Sequence, residues 1–168
     1  FLGETKSVSL RKQPVSFAEL TVDFTLADFQ AEALDGRLAP AAALTERPTL
    51  LIWLEEGREP TEHLLNELLE RRSRIRRLNA GLRLLLRERQ ALRNEKLRSV
   101  LDAFPEAEVW LTEDSAEPAA RSAYVEPERL PLLLVCDRPR HIVHASAGYR
   151  VGSVDTALDF LQGIVNKV

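Results

Sequence analysis

The sequence predicts an α/β fold of three layers: a mixed central sheet, helices on both faces, and extra strands at the N-terminus. Three observations carry this. Thr49 to Leu54 is a near-continuous apolar run, the mark of a strand buried on both faces. Similar runs at 82–86 and 107–111 alternate with segments of helical periodicity, which implies right-handed crossovers and a largely parallel sheet centre. Two last apolar runs, 132–136 and 141–145, flank the turn Asp137-Arg138-Pro139-Arg140 and form an antiparallel hairpin.

Taken in order, residues 1–23 alternate briefly at Ser7 to Leu10 and Phe17 to Val22, which suggests two short strands. Asp35-Gly36 marks a tight turn, because glycine accepts the positive φ such turns need. After the run ending at Leu54 comes the charged turn Glu55-Glu56-Gly57-Arg58-Glu59. Pro60 then opens a helix, with Leu64, Leu65, Leu68, Leu69, Ile75 and Leu78 on its apolar side. The spacing carries this helix unbroken to Asn79-Ala80-Gly81, where glycine closes it. A second helix spans Ala91 to Phe104, and a short one Ser115 to Tyr124. The last is capped by Ser153 and carries Val154, Ala157, Leu158, Leu161 and Val165. No repeat or linker interrupts the chain, so 1–168 reads as one domain, with 1–23 a strand extension and 24–168 the core.

Composition narrows the function. The chain has 168 residues, 45% hydrophobic and 29% charged, which is ordinary globular chemistry. No apolar run reaches the roughly 18 residues of a membrane span. The net charge is −3, whereas nucleic-acid binders show a basic excess, so no nucleic-acid partner is expected. One cysteine, Cys136, permits no internal disulfide. The chain begins at Phe1 and contains no methionine, and from this we expect a piece of a longer, exported or surface-tethered protein.

Four segments resemble the thioredoxin-like superfamily, and within it the membrane-anchored thiol-disulfide oxidoreductases and alkyl-hydroperoxide-reductase-like proteins. Phe24-Thr25-Leu26 with Leu34-Asp35-Gly36-Arg37 looks like the family's leading hairpin. Thr49 to Trp53 looks like the central strand. Tyr124-Val125 followed by Leu130-Pro131 looks like the segment ending at the family's cis-proline. Val135-Cys136-Asp137 to His141-Ile142-Val143, then Gly148-Tyr149, looks like its closing hairpin. Together they cover residues 22–165. The family's cysteines cap the helix after the central strand, where the helix dipole favours thiolate. Here that turn is Gly57-Arg58-Glu59-Pro60, with no sulfur. The resemblance therefore implies a thioredoxin-like fold without thiol-disulfide or peroxidase chemistry. Glu56 to His63 also resembles segments of thioredoxin-like modules attached to bacterial transglutaminase-like surface proteins, which implies an accessory domain.

The expected binding site is the turn and its surroundings: Trp53, Glu55, Glu56, Gly57, Arg58, Glu59, Pro60, His63, Leu130 and Pro131. In the family the strand before the cis-proline offers backbone groups to an extended peptide, so an extended peptide or a neighbouring domain is the expected partner. Partial exposure of Trp53 would favour this. The plainer reading of the same turn is a solvated helix cap. An enzyme with Glu55, Glu59 and His63 as acid–base groups is an alternative, as is an oligomerisation module. No cofactor is expected. Cys136 sits in an apolar run and reads as a small core residue. His141 and His144, three apart in a strand, fall on opposite faces and read as surface histidines, so no metal site is expected. Arg71, Arg72, Arg74, Arg76 and Arg77 read as a solvated face, with Glu67 paired to Arg71 and Glu70 to Arg74.

Overall fold

A computed structural model describes residues 24–55, 57–112, 117–123 and 130–166. The two strands expected within 1–23, Glu56, and Tyr124-Val125 lie outside the described residues. The elements are β1 (Phe24–Thr25), β2 (Gln30–Ala33), β3 (Leu38–Pro40), α1 (Ala41–Leu44), β4 (Thr49–Trp53), α2 (Glu59–Glu70), α3 (Arg72–Leu78) and β5 (Gly81–Leu86). A 3-10 turn (Arg89–Arg93) precedes α4 (Glu95–Ala103). Then come β6 (Glu108–Leu111), α5 (Glu117–Ser122), β7 (Leu132–Arg138), β8 (His141–Ala147) and α6 (Ser153–Val165).

The strands form one mixed sheet in the order β1-β8-β7-β4-β5-β6-β2-β3. β4, β5 and β6 are parallel, and β7 runs antiparallel to β4. Alternation along β4 divides the interior. Leu50 and Ile52, with Leu54 just beyond, join the cluster under α2, α4 and α6, while Leu51 and Trp53 join the cluster with α1 and α5 on the other face. Each face of the sheet is thus sealed by helices, which is why β4 and β5 tolerate no solvent-facing side.

Four local expectations are corrected. The helix from Pro60 is two helices, because Arg71 leaves helical geometry at φ −105° and ψ 14°. Asn79, at φ +53°, ends α3, and Gly81 instead starts β5. A Cβ at Gly81 would lie 2.9 Å from the Thr49 Oγ1, so close strand packing, not a helix cap, explains the glycine. The helix expected from Ala91 begins as a 3-10 turn, and Asn94 caps α4 by accepting from Leu97 N at 3.0 Å. Ser153 does not cap α6. Its Oγ is engaged with the backbone of Arg150, and Gly152, at φ +92°, occupies the cap position.

The closing hairpin carries a bulge. Val135 pairs with His144 but Cys136 pairs with Ile142, which leaves Val143 as the extra residue. Ile142 and Ala145 pack on the α1 face, whereas Val143 and His144 both meet the α6 side. This overturns the surface reading of the histidines. His144 stacks on Phe160 at 4.5 Å, its Nε2 is buried without a hydrogen bond, and burial lowers its pKa to about 4. The His141 Nδ1 lies 2.6 Å from the Asp137 Oδ1.

Candidate functional site

The site builds outward from the C-terminal end of β4. Trp53 faces Leu132 across the β4–β7 pair, so Leu130 and Pro131 lie beside the point where β4 turns toward α2. The Leu130–Pro131 bond is cis, and the Pro131 carbonyl accepts from Gly148 N at 2.9 Å. Tyr149, the next residue, stacks on His63 at 5.5 Å. A chain of contacts therefore links the cis-proline, itself buried, through the half-buried loop after β8 to the exposed first turn of α2.

The charged turn itself is open. Gly57 adopts φ +79°, a conformation that side-chain-bearing residues seldom take, which explains glycine there. Arg58 occupies the cap position of α2 and pairs with Glu55 at 3.0 Å, with both side chains largely in water. Glu59 starts the helix with Pro60 beside it, and Glu59 and His63 are both exposed. Because α2 begins at Glu59, Glu59 and His63 are one turn apart on it, and both side chains stand in water. Trp53 is 4% exposed and packs edge-on against Phe29 at 5.5 Å. It is a core residue beneath the turn and offers a partner no face, so the exposure that would have favoured binding is absent.

Three residues missed by pattern reasoning organise the neighbourhood: Glu67, Tyr149 and Asp155. Glu67 is buried at 6% exposure, although it sits on a helix of mixed character. Its Oε1 accepts from Val154 N at 2.9 Å, and its Oε2 accepts from the Tyr149 hydroxyl and from Gly152 N at 3.3 Å. A carboxylate on α2 thus caps the N-terminus of α6, the service expected of Ser153. The hydrogen bond to Glu67, with burial next, raises the Tyr149 phenol to about 12. Arg71 donates to both oxygens of Asp155 at 2.7 and 3.1 Å, and Arg74 reaches Asp159 at 2.7 Å. These contacts replace the expected Glu67–Arg71 and Glu70–Arg74 pairs. The signal was present in the sequence. Glu67 lies three after Leu64 and one before Leu68, inside the apolar stripe, and an acid there must find buried donors.

The sole sulfur of the chain is far from this surface in chemical terms. Cys136 is fully buried in β7, opposite Thr49, and burial, with Asp137 adding to it, raises its thiol to about 12. Among the described residues no three histidine, cysteine or carboxylate side chains gather as metal ligands, and no helix is long and apolar enough to cross a membrane.

The order of strands, the helices on both faces and the cis-proline beside the central strand define a thioredoxin-like fold. Solved structures agree. The chain is similar to a Chlorobium tepidum protein described as the thiol:disulfide interchange protein DsbE, with TM-score 0.60, 12% identity, and 85% of this chain and 96% of that one covered. It is similar to a thio-disulfide isomerase from Thermus thermophilus, with TM-score 0.58, 18% identity and coverage of 84% and 95%. It is also similar to the peroxidoxin BcpB from Mycobacterium tuberculosis, with TM-score 0.58, 15% identity and coverage of 86% and 97%. At these identities the likeness concerns fold. No protein-family model and no curated protein matches the sequence.

Proposed function

We propose that this chain is a redox-inactive thioredoxin-like module that serves as a binding or accessory part of a larger bacterial protein. One observation carries the reading: the helix that follows the central strand starts at Glu59 with no cysteine near it, while the only thiol is sealed in β7. A thiol whose pKa stands near 12 supplies almost no thiolate at neutral pH, and a lone cysteine cannot form the internal disulfide of a dithiol cycle. What remains at the equivalent place is the exposed rim Gly57 to Glu59, His63 stacked on the half-buried Tyr149, and Leu130, half-buried beside the buried Pro131. An extended peptide or a neighbouring domain laid along that rim is the occupant we favour.

Two measurements test this. Insulin reduction by the isolated chain should not exceed that of a heat-denatured control, and turnover abolished by Cys136→Ala would overturn redox inactivity. Carboxymethylated insulin B chain, used as an extended probe, should shift amide signals at 57–59, 61–63, 130 and 148–149 in a heteronuclear NMR titration. Shifts confined to other surfaces would remove the binding role from this rim.

A further inference from the structure

A second site lies at the opposite end of the sheet, and it is independent of the rim by α2. Parallel strands β4, β5 and β6 end near α2's start, whereas a cleft of about 520 Å³ opens where β5 and β6 begin. Ile75, Leu82 and Phe104 lie at its base but are core residues, 7%, 4% and 2% exposed, and its rim carries Arg72, Arg76 and Arg77. Arg71 and Arg74 are committed to α6 through Asp155 and Asp159. The three rim arginines are exposed, and among the described residues none has a carboxylate within ion-pair distance. Arg47 adds another positive charge nearby, donating to the Asn79 carbonyl at 2.6 Å, and the cleft's own lining contributes one acid, Glu106. A protein of net charge −3 therefore concentrates unneutralised guanidinium groups around one recess.

The chemistry of the recess selects among anions. α3 and α4 both end here, and helix C-termini present carbonyl oxygens, which disfavours a bare phosphate on the floor. Arg72 and Arg77 are five residues apart on α3, about 7.5 Å along its axis, further than one carboxylate reaches. Alternate side chains of an extended strand repeat at nearly that spacing, about 6.8 Å. We propose that this cleft docks an acidic peptide segment that sets successive carboxylates against Arg72, Arg76 and Arg77.

The test uses the whole chain and a fluorescein-labelled Asp-Glu-Phe-Asp-Glu peptide, read by anisotropy and by amide shifts. Binding should map to residues 72–82 and 104–107 and weaken with salt. Arg76→Gln/Arg77→Gln should weaken it roughly tenfold, at about threefold per exposed charge contact. The peptide with Asn and Gln in place of its acids should bind at least tenfold more weakly, and Arg138→Gln, a like charge change on the β7–β8 hairpin, should leave affinity unchanged. Circular dichroism confirms that each variant is folded, and Arg72→Gln alone, expected to lose about threefold, serves if the double variant is not. No binding, shifts elsewhere, equal loss in Arg138→Gln, or tighter binding of inorganic phosphate or an oligonucleotide would each overturn the proposal.

Discussion

The two halves of α2 carry similar charge and treat it in opposite ways. At the N-terminal end, Glu55, Arg58 and Glu59 stand in water, and the one ion pair among them joins two mostly exposed side chains. Two turns on, Glu67 is buried and both of its oxygens are occupied by donors from the loop after β8 and the start of α6. The difference comes from what lies across the helix. Water solvates the first half, and α6 covers the second. A dense charge cluster in a sequence therefore locates solvent, whereas a single acid inside an apolar stripe locates an obligatory polar contact, because a desolvated carboxylate must be compensated.

The largest test of this contrast is Glu67→Ala. It strips the acceptor from Val154 N and Gly152 N and leaves the Tyr149 hydroxyl unanswered, so unfolding in urea should show a loss of about 3–4 kcal/mol. Glu67→Gln, which keeps one acceptor, should lose less. An alanine variant within 1 kcal/mol of wild type, roughly the cost of an ordinary cap, would place the seam's strength elsewhere.

Next in size is a pH effect from His144, beneath the same helix α6. Its folded pKa of about 4 lies below the ordinary 6.5, so the unfolded chain takes up the proton first as pH falls. The stability linked to it is whole above pH 6.5 and is lost progressively toward pH 4, about 2–3 kcal/mol in total. Urea midpoints measured across that range should flatten in His144→Gln, and an unchanged slope would remove His144 as the cause.

A smaller effect belongs to Arg71. Its hydrogen bond to Asp155 holds that carboxyl below the usual range, so the contribution is present at neutral pH and lost as acid protonates Asp155. Both side chains are about two-fifths exposed, and Arg71→Gln should lower the urea midpoint slightly at low salt and hardly at all in about 0.5 M NaCl. The smallest effect is at the open turn. Glu55→Gln and Arg58→Gln should each stay within about 0.5 kcal/mol of wild type, and a larger loss would show that the turn is built into the fold after all.

The fold was legible because its signals are local or periodic. The run at Thr49–Leu54 reads as a doubly buried strand, Asp35-Gly36 as a tight turn, and Cys136 within an apolar strand as a core thiol, and the structure has each of them so. The candidate site was legible in part. The chain positions of Gly57 to Pro60 and of Pro131 followed from the pattern, and the register of Trp53 with Leu132 brings those two segments side by side. The burial of Trp53 was not legible, because it depends on Phe29, which arrives from a strand lead-in 24 residues earlier in the chain.

By itself the sequence determined the layers, the parallel centre and the absence of a second cysteine, since periodicity and composition act within a few residues. Tertiary structure alone decided which charges are satisfied. Glu67 and Arg71 had plausible partners one turn away on their own helix, yet α6 supplied better ones from more than 80 residues on. The bulge at Val143 likewise puts His144 on the α6 side, out of alternation with Ile142. Desolvation selects the first outcome, because a buried carboxylate must be compensated, and strand register decides the second; neither acts until distant segments close together.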